Sequence, residues 1–316
     1  MFKLNELFSV SGKVVVVTGG GSGIGKAIAT GFYENGAKVY ITGRRKEVLE
    51  GAAKEMKANS SDGGEVICIQ GDVATKEGCT KIADQIKAKE SVLHTLINCA
   101  GVSKGWRIDA HPEHPDEVEK QMLAVEDEDF NYTNGINING VYFMTAALLS
   151  LLRKAEDPNV IVIASIAGLA NQRATGSMTY GASKVCSIHL GKLLAGRLTP
   201  MKIRVNTICP GIFPSEMTGA IGSYESTGMN TMSQRAGLRN SLGRAGKPEE
   251  IVGPVLMLST RGGGYCDGAV LTVDGGRLMV SKAQLFTTTS DHGRVAAGIN
   301  DGVRMPDETN TYDLLA

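Results

Sequence analysis

The stretch "KVVVVTGGGSGIGKAIATGFYENG", residues 13–36, decides the fold. It opens on an unbroken β-branched run, "KVVVVT" (13–18), with no polar alternation. Such a run suits a strand buried on both faces, as in a parallel sheet. The chain then passes straight into "TGGGSGIG" (18–25) and a helical pattern, "KAIATGFYENG". Strand, tight glycine turn and helix in this order form the context of a dinucleotide-binding loop. Glycine lets the backbone approach a pyrophosphate, and the helix start offers unpaired N–H groups and a partial positive charge. The literal G-x-G-x-x-G spacing is absent. Gly19, Gly23 and Gly25 carry the loop instead as G-x-x-x-G-x-G, with Ser22 and Ile24 between them.

Further along, six more apolar runs read as strands: 37–42, 65–70, 95–98, 159–165, 203–208 and 269–273. Helical patterns fall between them at 24–35, 45–57, 76–89, 129–154, 180–197 and 248–258. This alternation predicts an α/β fold: a single-domain, Rossmann-like, doubly wound parallel sheet of about seven strands. Its ligand crevice is expected at the carboxyl ends of the strands. The domain is expected to span 1–276, with a loop insertion at 102–128 and a substrate lid at 213–245. Residues 277–316 read as a C-terminal extension, because they are polar and glycine-rich and lack a period.

Composition narrows the partners. The 316 residues carry 33 Lys plus Arg and 33 Asp plus Glu, a formal net charge of zero. A nucleic-acid or acidic-membrane surface would call for a basic excess, so neither partner is expected. The six cysteines form no CxxC pair and sit largely in apolar runs, which reads as reduced thiols in the cytoplasm. The N-terminus shows no secretory pattern, and no apolar run reaches the length of a membrane span. His111 and His114 in "HPEH" lie three apart, but each precedes a proline and is held extended. They read as exposed loop, so no metal is expected.

Two further stretches point to chemistry. The second strand candidate ends in "TGRRKE", where Arg44 and Arg45 stand at the place of an NAD site's usual carboxylate. Two guanidiniums there favour a 2′-phosphate, and so NADP(H). In "MTYGASK" (178–184), Tyr180 and Lys184 are four residues apart and would share one helix face. A cation beside a phenol favours the phenolate, which suits an acid–base tyrosine.

Taken in order, "TGGGSGIG", "GDV" (71–73), "NCAG" (98–101), "NING" (137–140), Ser165, "YGASK" (180–184), "CPG" (209–211) and "VDGG" (273–276) resemble the classical short-chain dehydrogenase/reductase family. The resemblance covers about 11–276 and is nearest to the β-ketoacyl and rhamnolipid-type reductases. It implies Tyr180 as general acid or base, with Lys184 seating the nicotinamide ribose and, together with the positive nicotinamide, lowering the tyrosine pKa. It implies Ser165 as the hydroxyl that orients the substrate oxygen. Asn137 would hold a relay water, with Asn139 its near competitor. It places Asp72 and Val73 at the adenine, Asn98, Ala100 and Gly101 along the cofactor, and Ile212, Phe213 and Ser215 at the carboxamide. Cys99 departs from the family's usual Asn, and the Ser165–Tyr180 interval is long enough to leave Ser177 open as a substrate hydroxyl.

The function these features predict is NADPH-dependent reduction of a ketone, β-ketoacyl, polyketide-like or other, to a secondary alcohol. Two alternatives stand beside it: a catalytically silent NADP(H)-binding sensor or scaffold, and an NAD-linked secondary alcohol dehydrogenase. Trp106 is expected near the mouth of the pocket. Met217, Ile221, Met229 and Met232 would form an adaptable apolar lid. Helices 129–154 and 180–197 are more apolar than one buried face needs, which suggests a homodimer or homotetramer.

Overall fold

The computed structural model describes residues 2–170, 177–219 and 228–280. Seven parallel strands form one sheet in the order β3-β2-β1-β4-β5-β6-β7. They are β1 (Val14–Thr18), β2 (Lys38–Gly43), β3 (Glu65–Gln70), β4 (Thr95–Asn98), β5 (Asn159–Ile163), β6 (Arg204–Pro210) and β7 (Val270–Val273). The order reverses between β1 and β4, where Thr18 pairs with Asn98. That reversal opens the crevice in which doubly wound sheets bind ligands.

The helices are α1 (Leu4–Leu7), α2 (Gly23–Glu34), α3 (Lys46–Asn59), α4 (Lys76–Lys87), α5 (Pro115–Leu123), α6 (Asp127–Asn134), α7 (Gly140–Leu152), α8 (Met178–Leu198), α9 (Thr231–Leu238) and α10 (Pro248–Leu258). Alternation along β1 divides the core. Val14 and Val16 point into one apolar cluster with Ile82 and Ile86 of α4, Met144 and Leu148 of α7, and Leu194 of α8. Val15 and Val17 point into the other, with Ile28 and Phe32 of α2, Leu49 of α3, and Ile251 and Val255 of α10. Each such fully buried aliphatic side chain stabilises the fold by about 1.5–3 kcal/mol. Helices cover both faces, so the continuous apolar runs had no solvent face to alternate against.

Three features differ from the sequence expectation. The insertion 102–128 is not all loop, since α5 runs through it. His114 occupies the N-cap in extended geometry and Pro115 the first helical position, where its fixed φ suits a helix start. The predicted helix 129–154 is broken by a wide, π-type turn, Gly135–Asn139, in which the Gly140 N–H reaches back to the Gly135 carbonyl. The helix Asp127–Leu152 nevertheless runs 26 residues and is long and apolar enough to cross a membrane by length and composition. The expectation that no segment reached that size was therefore wrong. Met144, Leu148 and Leu152 bury its inner face against the sheet, as in a core helix. Of the predicted extension, only a short turn, Arg277–Met279, and Val280 are among the described residues.

The insertion is tied down by charge. Asp129, 3% exposed at the start of α6, accepts from Arg107 Nε at 2.6 Å, Arg107 Nη2 at 3.0 Å and Lys104 Nζ at 2.7 Å. These bonds hold its carboxyl well below the usual carboxylate range. His111 and His114 stack at 4.3 Å, and both bond Glu117. Among the described residues no cluster of three or more His, Cys, Asp or Glu could hold a metal ion.

Candidate active site

At the carboxyl ends of the strands lies a cavity of about 590 Å³. Its floor is the turn between β1 and α2. Gly19 has φ +68°, and a methyl group there would come within 2.9 Å of Ala100 Cα. A methyl on Gly25 would meet the Gly19 carbonyl oxygen at 2.2 Å. Both positions therefore require glycine, the first for its left-handed backbone and the second for close packing. Ser22 is the N-cap of α2, yet its side chain makes no capping bond. With Gly23, Ile24 and Gly25 it lines the cavity, where first-turn N–H groups have no partner within the helix.

Thr18, which the sequence reading did not single out, aligns the opposite wall. Its Oγ1 accepts from the N–H groups of Cys99 and Ala100, both at 3.0 Å, and so fixes the exit of β4. Ala100 and Gly101 line the cavity. Asn98 does not: it is buried, and its Nδ2 donates to Thr145 Oγ1 of α7 at 3.1 Å. Strand parity turns this side chain to the helix layer. Cys99 is half-buried near Lys184, and desolvation pushes its thiol up to about 12, so it stays neutral.

Of the catalytic candidates, Ser165, Tyr180 and Lys184 line the far end, whereas Asn137 is buried behind the lining. Tyr180 and Lys184 lie on α8, with Lys184 Nζ 5.7 Å from the phenol ring centre. Nζ donates to the Ile163 carbonyl at 3.1 Å, at the end of β5. Ser165 follows that strand and caps the next turn, its Oγ accepting from Ala167 N at 3.1 Å. Asn137, in the wide turn, clasps Val102 on both sides: Oδ1 accepts from Val102 N and Nδ2 donates to Val102 O, both at 2.9 Å. Nδ2 also donates to Ser183 Oγ at 2.9 Å. Asn139, by contrast, is exposed. Ser183 was legible only as part of "YGASK"; its hydroxyl donates to the Tyr180 carbonyl at 2.7 Å.

Burial raises the Tyr180 phenol above its ordinary value, while a hydrogen bond with Ser165 pulls it down. The lowering expected from the resemblance is that of Lys184 together with a positive nicotinamide. Lys184 is itself stripped of water, which pushes its ammonium down to about 8. Ser177 is occupied as the N-cap of α8, where its Oγ accepts from Tyr180 N at 3.3 Å and bonds Thr179 Oγ1 at 2.7 Å.

At the outer end, Arg44, Arg45, Asp72 and Val73 line the groove. Arg44 Nη2 reaches Tyr132 Oη at 3.4 Å, and Asp72 Oδ1 accepts from Ala74 N at 3.0 Å. Over the groove lie Ile212, Phe213, Ser215, Met217 and Met232, with Arg277 and Leu278 beyond them. Trp106 lies outside the lining, as does Met229. Ile221 falls outside the described residues. A methyl on Gly101 would sit 3.3 Å from Lys184 Nζ and 3.4 Å from Asn137 Oδ1, so a flat ligand can approach only while that position is bare. Free helix-start amides, a bare glycine wall and a guanidinium pair together fit a dinucleotide.

The short chain dehydrogenase family profile matches residues 13–226. The short-chain dehydrogenase/reductase PhomF of Diaporthe leptostromiformis is 36% identical over 284 residues, 87% of this chain and 94% of its own. The rhamnolipids biosynthesis 3-oxoacyl-[acyl-carrier-protein] reductase of Pseudomonas aeruginosa is 32% identical over 277 residues, 86% of this chain and 99% of its own. A solved Pseudomonas aeruginosa RhlG/NADP active-site complex superposes with a TM-score of 0.73 at 30% identity, covering 86% of this chain and 98% of that one. The chain belongs to the short-chain dehydrogenase/reductase family, and it is an oxidoreductase of that class.

Proposed function

We propose that the protein reduces a ketone to a secondary alcohol with NADPH. The observation that carries this reading is the convergence of Ser165, Tyr180 and Lys184 at one end of a groove whose other end holds Arg44 and Arg45. When bound, the cofactor supplies the hydride. The chain's residues do the rest. Burial keeps the Tyr180 phenol protonated at neutral pH, the form that can donate to a carbonyl oxygen. The Ser165 hydroxyl, beside that phenol, orients the same oxygen. Lys184 holds positive charge under the site on a carbonyl anchor from β5. Asn137 fixes the Val102 backbone against α8 through Ser183, which sets the distance between the two walls. Met217 and Met232 exclude water over the reacting carbon and strengthen these interactions.

The proposed substrate is a β-ketoacyl, polyketide-like or other secondary carbonyl, and the 3-oxoacyl-[acyl-carrier-protein] reductase among the relatives supports the first of these. Six free cysteines suit a reducing, cytoplasmic setting. Tyr142 on α7 and Leu193 on α8 are 49% and 57% exposed, apolar surface that a homodimer or homotetramer would cover. A single monomeric species in sedimentation would remove that assembly. The decisive experiment follows NADPH consumption over a panel of β-ketoacyl thioesters, cyclic ketones and aromatic polyketide analogues. Turnover abolished by Tyr180→Phe supports the reading. Tight NADPH binding with no turnover on any ketone would favour a silent sensor.

A further inference from the structure

We propose that Glu216 is a specificity-determining residue that competes with the cofactor's 2′-phosphate for Arg45. The proposal rests on the NADPH reading above and deepens it.

The lid begins with a tight turn that holds itself together. Thr218 Oγ1 donates to the Phe213 carbonyl at 2.8 Å and accepts from Ser215 N at 2.8 Å. This turn lies directly on the cofactor loop, because a methyl on Gly23 would come within 2.9 Å of Ser215 Cβ. One residue on, Glu216 reaches the adenosine end of the groove. Both of its carboxylate oxygens take Arg45 Nη2, at 2.7 and 2.8 Å. The two residues are 171 apart in sequence, so no local constraint forces them together. Both also line the cavity.

Arg45 stands at the N-cap of α3, just past the end of β2, where a 2′-phosphate is recognised. A phosphate brings close to two negative charges to that guanidinium. Glu216 already holds one nitrogen of the fork. If the phosphate uses the remaining donors, a carboxylate is left within about 4–6 Å of a dianion, where like charges disfavour each other. If the phosphate takes the whole fork, the lid loses its tie to the groove. Either way NADPH carries a penalty. NADH has only hydroxyls at that position, and a neighbouring carboxylate accepts from a hydroxyl. Glu216 therefore narrows the preference that Arg44 and Arg45 create.

The test is cofactor binding without ketone, followed by nicotinamide fluorescence or calorimetry, for wild type, Glu216→Gln, Arg45→Gln and the double variant. Glu216→Gln is expected to tighten NADPH roughly three- to tenfold and leave NADH within about twofold. In the Arg45→Gln background, where the guanidinium no longer holds Glu216 beside the phosphate, the same exchange should change NADPH affinity less than it does in wild type. A preference for NADPH in wild type that Glu216→Gln leaves unchanged, or shifts equally for NADH, overturns the competition alone. Equal affinity for both dinucleotides in wild type, unmoved by Arg45→Gln, overturns the NADPH reading and the competition with it.

Discussion

The two halves of the groove are built in different ways. The cofactor half stands on strand ends and bare backbone: Gly19 and Gly25 cannot carry a side chain, and Thr18 pins two successive amides just past the end of β4. The half proposed for the substrate stands on side chains borne by connections: Met232 of helix α9, and an insertion moored by Asp129 whose first residues, Val102 and Ser103, line the cavity. One half is set by sterics that few residues satisfy, the other by contacts that many residues could make. Loops carry specificity and the sheet carries the shared chemistry.

The largest test of that division is Tyr180→Phe. It should lower turnover by about 10²- to 10⁴-fold while NADPH affinity stays within about twofold. Loss of both together would show that the catalytic end and the dinucleotide half are not separable. Gly25→Ala drives a methyl into the Gly19 carbonyl and should cost about 2–4 kcal/mol in a denaturant midpoint, with loss of dinucleotide binding. A folded variant of wild-type stability that still binds would mean the loop yields more easily than its contacts imply.

Lys184→Met sharpens the contrast by separating function from stability. In the folded state the ammonium titrates near 8, below its ordinary 10.5. Between these values the unfolded chain holds a proton that the folded chain has released, so stability rises with pH across that window. Below about 8 both states are charged, and the folded protein carries the whole desolvation penalty. Methionine removes the penalty. The variant should be more stable at neutral pH by on the order of 1–3 kcal/mol, an advantage that fades as pH rises toward 10.5, and it should be inactive. A variant less stable than wild type at neutral pH would place Lys184 among the supports of the fold. The smallest effect belongs to the mooring. Asp129→Asn releases Lys104 and Arg107 and should raise the ketone KM roughly two- to fivefold with NADPH affinity unchanged. No change in KM would detach the insertion from the substrate half.

Legibility in the sequence followed the same division. The inner strands were readable because a strand buried on both faces has nothing polar to interrupt it, as in β1 and β5, and the edge strands β3 and β7, which are only partly buried, by their apolar runs alone. The glycine loop and "YGASK" were readable because sterics and helix periodicity restrict what can stand there. Strand parity hid the turning of Asn98 toward Thr145, and the role of Thr18 depends on a strand 81 residues away. The upward direction of the Tyr180 phenol was hidden too, since burial is a property of the assembled fold rather than of a spacing of four. Helix α5 was missed because a proline reads as a break, whereas at a first helical position it is a beginning.

The wide turn at Gly135–Asn139 has an arithmetic of its own. It spends one residue more than a regular helix would, so the angular phase of the chain slips by about 100° between α6 and α7. No single helical wheel can describe both segments, and an apolar stripe drawn through one misplaces the other. Asn137 lies within the slip itself. A chain one residue shorter in that turn could coil smoothly from Asp127 to Leu152, and its asparagine would face another way.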